Sequence, residues 1–245
     1  MSFATILFEK QGNIATITLN RPRVLNAINV QMRDELWEVF GALSDDPDVD
    51  VVLVRGAGPR AFCAGADLTE FGTAPPPVEA RAVRYERDLW GTIATTRQPM
   101  VAALHGYVLG AGLELALLCD LRVAAEGAQL GLPDGALALL PAGLGTQTLA
   151  RNVAPGLALD LLLRGRPLDA RQAWEAGLVN RIVPPGRLDS VAARLARQLA
   201  EWDPLALRLA KEAVVQGQDL PLSQALRLGD DLALLLQPAE GAPRR

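Results

Sequence analysis

A helix start flanked by glycines constrains this sequence more than any other feature. Gly110-Ala111-Gly112 follows a strand-like run and opens a helical pattern. The first N–H groups of a helix have no acceptor one turn back, and this end of the helix dipole is positive. Because glycine also lets a ligand approach the backbone closely, such a helix start is suited to hold an anionic oxygen. The alternative is that the glycines only allow tight packing of the helix against a strand.

Glu114 follows in the first turn of this helix, among apolar neighbours that include Leu113 and Leu115. A carboxyl group there cannot face solvent on every side. Partial burial favours its neutral form and brings its pKa toward a value useful for proton transfer. The alternative is that Glu114 only complements the positive end of the helix. The expected burial makes Glu114 the candidate catalytic residue, with the alternative left open.

A second stretch of small residues, Ala61-Phe-Cys-Ala-Gly-Ala-Asp-Leu68, also follows a strand-like run. Small residues leave backbone N–H groups accessible to a ligand. Together with the helix start, this loop outlines a reaction centre.

The composition of the chain limits the classes of protein to which this reaction centre can belong. The chain has 245 residues and a net charge of −4, with 50% hydrophobic residues, which fits one large α/β domain and gives no basis for nucleic-acid or membrane binding. No apolar run is long enough for a membrane span, so a cytoplasmic enzyme is expected. One histidine and two cysteines provide neither a histidine-based metal site nor a disulfide framework.

The periodicity predicts strands followed by helices, hence an α/β core with a helical C-terminal part. Asp169, with Gln172 three positions on, predicts a capped helix start. The run Val51-Val-Leu-Val54 indicates a strand covered on both faces. The predicted strands are 15–19, 50–55, 100–104 and 121–125, and the predicted helices are 29–44, 80–95, 188–202, 205–216 and 222–236, with a loop at 69–78.

Six segments in the family's order give the sequence a specific resemblance to the crotonase superfamily, the enoyl-CoA hydratases and isomerases. They are the two stretches above together with Asn20-Arg-Pro-Arg-Val-Leu-Asn-Ala27, Pro133-Asp134, Leu140-Pro-Ala-Gly-Leu-Gly-Thr-Gln147 and Ala176-Gly-Leu-Val-Asn-Arg-Ile-Val-Pro184. The resemblance implies a spiral of ββα units with the acyl-CoA site at 1–190. It also implies a helical region at 191–245 that forms a homotrimer or homohexamer.

The resemblance further assigns roles to residues of this chain. Ala66 and Ala111 are expected to form the oxyanion hole for a thioester carbonyl, with Glu114 and Asp134 as the catalytic carboxylates. No metal is expected and no cofactor, since coenzyme A is part of the substrate. The residues expected to bind substrate or CoA are Arg23, Val24, Ala64, Ala66, Asp67, Leu68 and Gly110.

Asp134 departs from the family pattern, because many hydratases carry glutamate there. Aspartate is one methylene shorter, which retracts the carboxyl by about 1.5 Å. Asp134 is then a catalytic acid, a catalytic acid that works slowly, or only a turn residue, since Pro133-Asp134-Gly135 is a strong turn signal. The resemblance also implies a further helical stretch after Gly241 that this sequence lacks, so less cover over the acyl pocket is expected.

Three functions remain open at this point. The first is hydration of a trans-2-enoyl-CoA, the second is double-bond isomerisation by one carboxylate, and the third is acyl-CoA binding without catalysis. A formal dinucleotide fingerprint, Gly56-x-Gly58-x-x-Ala61, is rejected because Pro59 interrupts the helix that it requires. His105 and Cys63 are expected to be structural.

Overall fold

The computed structural model describes residues 3–70, 85–141 and 143–236. In this part of the chain the strands form two sheets, and the middle of the chain alternates between them. The strands are β1 (Ile6–Gln11), β2 (Ile14–Leu19), β3 (Val51–Gly56), β4 (Ala61–Cys63), β5 (Met100–Leu104), β6 (Tyr107–Leu109), β7 (Leu121–Ala125), β8 (Gln129–Gly131), β9 (Leu168–Asp169) and β10 (Arg181–Val183).

Helices follow these strands and dominate the last third of the chain. The α-helices are α1 (Val30–Asp45), α2 (Leu89–Ala94), α3 (Ala111–Leu118), α4 (Gly145–Asn152), α5 (Pro155–Arg164), α6 (Ala170–Glu175), α7 (Leu188–Ala200), α8 (Pro204–Gly217) and α9 (Leu222–Leu234). Short 3-10 helices lie at Pro22–Val24, Leu68–Glu70, Pro133–Leu137 and Pro185–Arg187.

The larger sheet has the order β1-β2-β3-β5-β7-β10, and the smaller sheet has the order β4-β6-β8-β9. From β3 to β8, consecutive strands fall in alternate sheets, with parallel pairing inside each sheet. Each turn of the chain therefore adds one strand to each sheet before the next turn begins. The predicted spiral of ββα units is confirmed.

The larger sheet is buried on both faces around β3. Val52 and Val54 point into the main core, whereas Val51 and Leu53 face the cluster formed with α7. The prediction from the continuous apolar run is confirmed. Position 190, where the sequence predicts a division of the chain, lies inside α7, and the division stays a prediction.

Gly106 makes the sharp turn by which the chain passes from β5 to β6. Its φ is +53°, and a Cβ atom there would overlap the backbone of Arg60. The Phe62 N–H donates to His105 O at 2.8 Å, and the Tyr107 N–H donates to Arg60 O at 3.2 Å. A residue without Cβ thus lets β4 and β6 pair closely, and both strands lead into the candidate site.

Most of the predicted long elements are confirmed, with small shifts at their ends. Helix α1 begins after Asn29, whose side chain accepts the Met32 N–H at 3.0 Å, and the predicted Asp169–Gln172 capping box is present. The predicted helix at 80–95 is interrupted, because Asp88 caps a new helix start by accepting the Gly91 N–H at 3.0 Å. Residues 80–84 of that helix and most of the predicted loop lie outside the described residues.

The short strands of the smaller sheet were not predicted. Strands β4, β6 and β8 have three residues each and β9 has two, which is too short to show a period. None of the helices in the described ranges is long and apolar enough to cross a lipid bilayer.

Candidate active site

The N-terminus of α3 forms one wall of the site. Gly110 precedes the helix with φ +49° and donates its N–H to Gly131 O at 3.0 Å, so β8 fixes the helix start. Gly112 lies against the backbone of Cys63, where a Cβ atom would overlap it. Ala111 is the first helical residue, and its N–H has no acceptor within the helix. The glycine pattern therefore serves to bring α3 close to the second loop.

The loop after β4 is held against α3 and α1. The Ile28 N–H donates to Gly65 O at 2.8 Å, and the Asp67 N–H donates to Ile28 O at 2.9 Å. These two bonds flank Ala66 and fix the orientation of its peptide group. Gly65 has φ +111°, and the position that its Cβ would occupy lies 3.8 Å from the Ala111 N atom. The structure thus brings the Ala66 and Ala111 segments together.

Asn26 supports this loop through its side-chain amide, although no sequence pattern pointed to this role. It is fully buried, with φ +56°, and its Nδ2 donates to Ala57 O and Ala61 O, both at 2.9 Å. Its Oδ1 accepts the Arg21 N–H at 2.9 Å. The only sequence signal was its place in the Asn20–Ala27 segment, because a buried asparagine leaves no periodic pattern.

Asp67 also supports the loop. Its Oδ1 accepts the Thr69 hydroxyl at 2.7 Å, and its Oδ2 accepts Arg21 Nη1 at 2.8 Å. These bonds, from Thr69 and then Arg21, hold the pKa of the Asp67 carboxyl below its usual range. Its carboxylate is thereby occupied with holding the Asn20–Ala27 segment to the loop.

Glu114 projects from the first turn of α3 into the site and is buried, as expected, with 2% of its surface exposed. Its Oε1 accepts two backbone N–H groups, from Gly143 and from Gly145, each at 2.8 Å. Gly145 is the first residue of α4, so this carboxylate lies at a second helix N-terminus. Backbone donation to a buried carboxylate holds it in one orientation.

Trp90, on α2, closes the site beside Glu114. A Cβ atom at Gly143 would lie 2.5 Å from Trp90 Cε2 and 2.7 Å from Glu114 Oε2, so the indole ring and the carboxylate enclose this glycine. Trp90 was not recognised from the sequence, since one tryptophan in a helical pattern is indistinguishable from an ordinary core residue.

Asp134 enters the same cavity from the 3-10 helix that follows β8. Its two carboxylate oxygens lie 3.6 and 3.7 Å from the position of a Cβ atom at Gly110. Among the described residues, its Oδ2 is buried and has no hydrogen-bond partner. Burial raises the pKa of the Asp134 carboxyl above its ordinary value. The Pro-Asp-Gly segment does form a turn, and it also directs a carboxyl group into the site.

The cavity between these elements has a volume of about 330 Å³. Of the residues expected from the sequence, Arg23, Val24 and Asp67 do not belong to its described lining. Arg23 and Val24 lie on the 3-10 helix Pro22–Val24, where Val24 is 46% exposed. The expected residues that do line the cavity are Ala64, Ala66, Leu68, Gly110, Ala111, Glu114 and Asp134.

A larger cleft, of about 740 Å³, lies between α4 and α8. Four of its charged side chains form ion pairs, since Lys211 Nζ lies 2.8 Å from Asp120 Oδ2 and Arg151 Nη2 lies 2.9 Å from Asp219 Oδ1. Paired surface charges have structural uses, whereas the smaller cavity contains two carboxylates at helix starts. We therefore place the chemistry in the smaller cavity.

Two other candidates are structural, as expected. The His105 ring Nε2 lies 2.8 Å from Gly58 O, outside the cavity. Cys63 is buried, and burial raises the pKa of its thiol to about 12, which leaves it inert at neutral pH. In the ranges that the structure describes, no three acidic, histidine or cysteine side chains are grouped to hold a metal ion.

Replacing Asp134 with asparagine should make the protein slightly more stable at neutral pH. The folded-state pKa of this carboxyl is raised, so stability is lost as the pH rises from the unfolded-state pKa through the folded-state pKa. Asparagine removes this penalty. We expect a higher melting temperature at pH 7, with the difference disappearing as the pH falls below the unfolded-state pKa of about 3.9.

The matched control is Asp48→Asn, because the Asp48 side chain is 84% exposed and has only a distant partner in Lys10. That substitution should give no rise in melting temperature. An Asp134→Asn protein that melts below the parent at pH 7 would contradict the account of Asp134 as a half-buried acid whose Oδ2 has no hydrogen-bond partner among the described residues.

Comparison with known proteins agrees with this geometry. The family model described as "Enoyl-CoA hydratase/isomerase" matches residues 9–237. A probable enoyl-CoA hydratase of Mycobacterium tuberculosis is 39% identical over 229 residues, which cover 92% of this chain and 87% of that protein. A short-chain-enoyl-CoA hydratase of Clostridium acetobutylicum is 33% identical over 226 residues, covering 92% and 87%.

A solved structure shares the architecture. The enoyl-CoA hydratase from Bacillus anthracis superposes with a TM-score of 0.90 at 35% identity, covering 95% of this chain and 91% of that one. Sequence and structural similarity therefore extend over the same, nearly complete, length of the chain.

Proposed function

Since this chain belongs to the enoyl-CoA hydratase/isomerase family, we propose that it adds water across the 2,3 double bond of a trans-2-enoyl-CoA thioester. The observation that carries the choice of hydration is Asp134, whose partnerless Oδ2 lies near the start of α3. Addition of water needs one group to activate the water and another to deliver a proton to C2. Isomerisation can proceed with one carboxylate, so a second acid in the cavity favours the hydratase.

The proposed reaction begins with the thioester oxygen between the N–H groups of Ala66 and Ala111. As water adds to C3, negative charge moves onto this oxygen, and two oriented donors stabilise the enolate. Removal of one donor in a site of this kind costs about 2.7–4 kcal/mol of transition-state stabilisation. The two loops contact each other through Gly65 and Gly110, which supports this assignment.

Glu114 acts as the base in this mechanism. It takes a proton from the water that attacks C3, while the N–H groups of Gly143 and Gly145 keep its Oε1 in place. Asp134 acts as the acid and gives its proton to C2 of the enolate. Its raised pKa supports this role, because a larger fraction of the carboxyl remains protonated near neutral pH. Proton exchange with solvent then restores both groups.

The remaining expected substrate contacts belong to the same proposal. Ala64, Leu68 and Gly110 line the cavity, and we assign them to the acyl and thioester part of the substrate. Arg23 and Val24 lie outside the cavity lining and are proposed to contact the CoA moiety. Asp67 is proposed to act by orienting the loop. The mechanism needs no cofactor or metal, since coenzyme A arrives as part of the substrate.

A panel of acyl-CoA thioesters with product identification tests the proposed function. We expect the enzyme to convert short trans-2-enoyl-CoA substrates to 3-hydroxyacyl-CoA products. Accumulation of a shifted double bond without added water would favour the isomerase. Binding of every thioester without turnover would favour the non-catalytic acyl-CoA binder and overturn the proposal.

We also propose that the protein assembles as a homotrimer or homohexamer through its C-terminal helices, in the cytoplasm. Leu209 and Leu232 are buried within the chain, but other leucines on these helices are exposed. Exposed apolar surface of this extent is typical of an interface. The exposed residues include Leu205, Leu222, Leu226, Leu234 and Leu235.

Light scattering at micromolar concentration should give a mass of three or six chains. Substitution of the exposed pair Leu226 and Leu234 by serine should shift that mass toward the monomer. A parent protein that runs as a clean monomer would contradict the assembly, without bearing on the chemistry of the cavity.

A further inference from the structure

Arg122, on β7, lies outside the cavity, yet its side chain contacts two of the helices that build it. The residue is 5% exposed, and burial lowers the pKa of its guanidinium. A buried cation is costly unless its donors are satisfied. The contacts of this side chain therefore indicate what it stabilises.

The guanidinium joins the C-terminal ends of α3 and α4. Its Nη1 donates to Cys119 O at 2.6 Å and to Ala116 O at 3.4 Å, both at the end of α3. Its Nη2 donates to Asn152 Oδ1 at 2.7 Å, on the last residue of α4. Its Nε donates to Leu178 O at 2.7 Å. A positive charge is also favourable at the C-terminus of a helix.

The opposite ends of the same two helices form the site. Helix α3 begins at Ala111 and carries Glu114, and α4 begins at Gly145, which donates its N–H to Glu114 Oε1 at 2.8 Å. Each helix has eight residues, so each is about 12 Å long. A short helix moves as one body, and a shift at its C-terminal end reaches its N-terminal end.

We propose that Arg122 is a positioning residue for Glu114, because its guanidinium ties the ends of α3 and α4 and so fixes the Glu114 carboxylate against the N–H of Gly145. The expected effect of Arg122 on turnover rests on the proposed function, in which Glu114 is the catalytic base. Lysine cannot replace the guanidinium, since an ammonium group lacks the planar fork that reaches both helices.

A matched pair at Asn152 tests this tether. Asn152→Asp keeps an oxygen acceptor for Arg122, whereas Asn152→Leu has a similar size and no acceptor. Both lose the bond from Asn152 Nδ2 to Thr148 O at 2.9 Å, so that loss cancels in the comparison. We expect the Asp variant to keep kcat within about twofold. We expect the Leu variant to lose about tenfold in kcat with KM changed by less than about twofold, because 1 Å of misplacement can cost about 10²-fold.

Arg122→Lys should lower kcat as much as Asn152→Leu does, and Arg55→Lys should keep the kcat of the parent. Arg55 lies on β3 and donates to Thr18 Oγ1 at 2.9 Å, away from both helices. Equal losses in the Asp and Leu variants, or a rise in KM with kcat unchanged, would overturn the proposal.

Hydrogen–deuterium exchange of the segment 143–147 separates this inference from the proposed function. In the Leu variant the Gly145 amide should exchange faster than in the parent, and in the Asp variant it should not. If the parent hydrates no enoyl-CoA, the proposed function fails. The exchange rate of the Gly145 amide still shows whether Arg122 positions α4. Unchanged exchange in the Leu variant would show that Arg122 does not position α4.

Discussion

Glu114→Gln should lower the rate of enoyl-CoA hydration by about 10²–10⁴-fold, the contribution usually made by a positioned acid or base. Glutamine preserves the size of the side chain, and its carbonyl oxygen can accept the N–H groups of Gly143 and Gly145 as Glu114 Oε1 does. It cannot take a proton from water. The loss should therefore appear in kcat, while affinity for a saturated acyl-CoA stays close to that of the parent.

Glu126→Gln is the matched control, since Glu126 is exposed in the turn after β7 and lies outside the cavity lining. It should leave kcat unchanged. Circular dichroism and thermal melting would confirm that the Glu114 variant is folded. Turnover of the folded Glu114→Gln protein within about tenfold of the parent would remove Glu114 from the mechanism.

Asp134→Asn should reduce hydration by about 10²-fold or more if Asp134 is the acid that protonates C2. Asparagine fits the same turn and removes the proton, so the fold should persist with the small gain in stability described above. A fall in activity together with a rise in stability is what a half-buried catalytic acid should show, because the parent retains an unfavourable group for its chemistry.

Asp134→Glu separates two versions of this role. If the local backbone compensates for the shorter side chain, the extra methylene moves the carboxyl past its target and activity falls. If the backbone does not compensate, the aspartate carboxyl is too far from its target. Glutamate then raises the hydration rate, by up to about the 10²-fold that 1 Å of misplacement can cost. A silent Asp134→Asn substitution in an active hydratase would leave Asp134 as a turn residue only.

Local patterns in the sequence predicted most long elements of the fold. Helix α1 was predicted at 29–44 and occurs at Val30–Asp45, and β3 was predicted at 50–55 and occurs at Val51–Gly56. The apolar positions of α1 recur at helical spacing and Asn29 caps its start, whereas β3 was predicted from its continuous apolar run. The smaller sheet was missed, because its strands are stabilised by pairing with distant segments rather than by their own pattern.

The candidate site was predictable only in part for the same reason. The glycines at the start of α3 and the acid in its first turn are close in sequence, and together they predicted an oxygen-binding helix start with Glu114 beside it. The donors that hold Glu114 come from Gly143 and Gly145, about thirty positions further along the chain. Asn26 and Trp90 likewise act through tertiary contacts that no local pattern records.

We propose that this cavity adds water to an enoyl thioester, and single-turnover mass spectrometry in ¹⁸O-labelled water is a direct test of that addition. A short trans-2-enoyl-CoA should gain the mass of one labelled water, with the label at C3, at a rate that falls with Glu114→Gln. A product that has shifted its double bond without gaining label, or an enoyl-CoA recovered unchanged from a saturated enzyme, would contradict the claim.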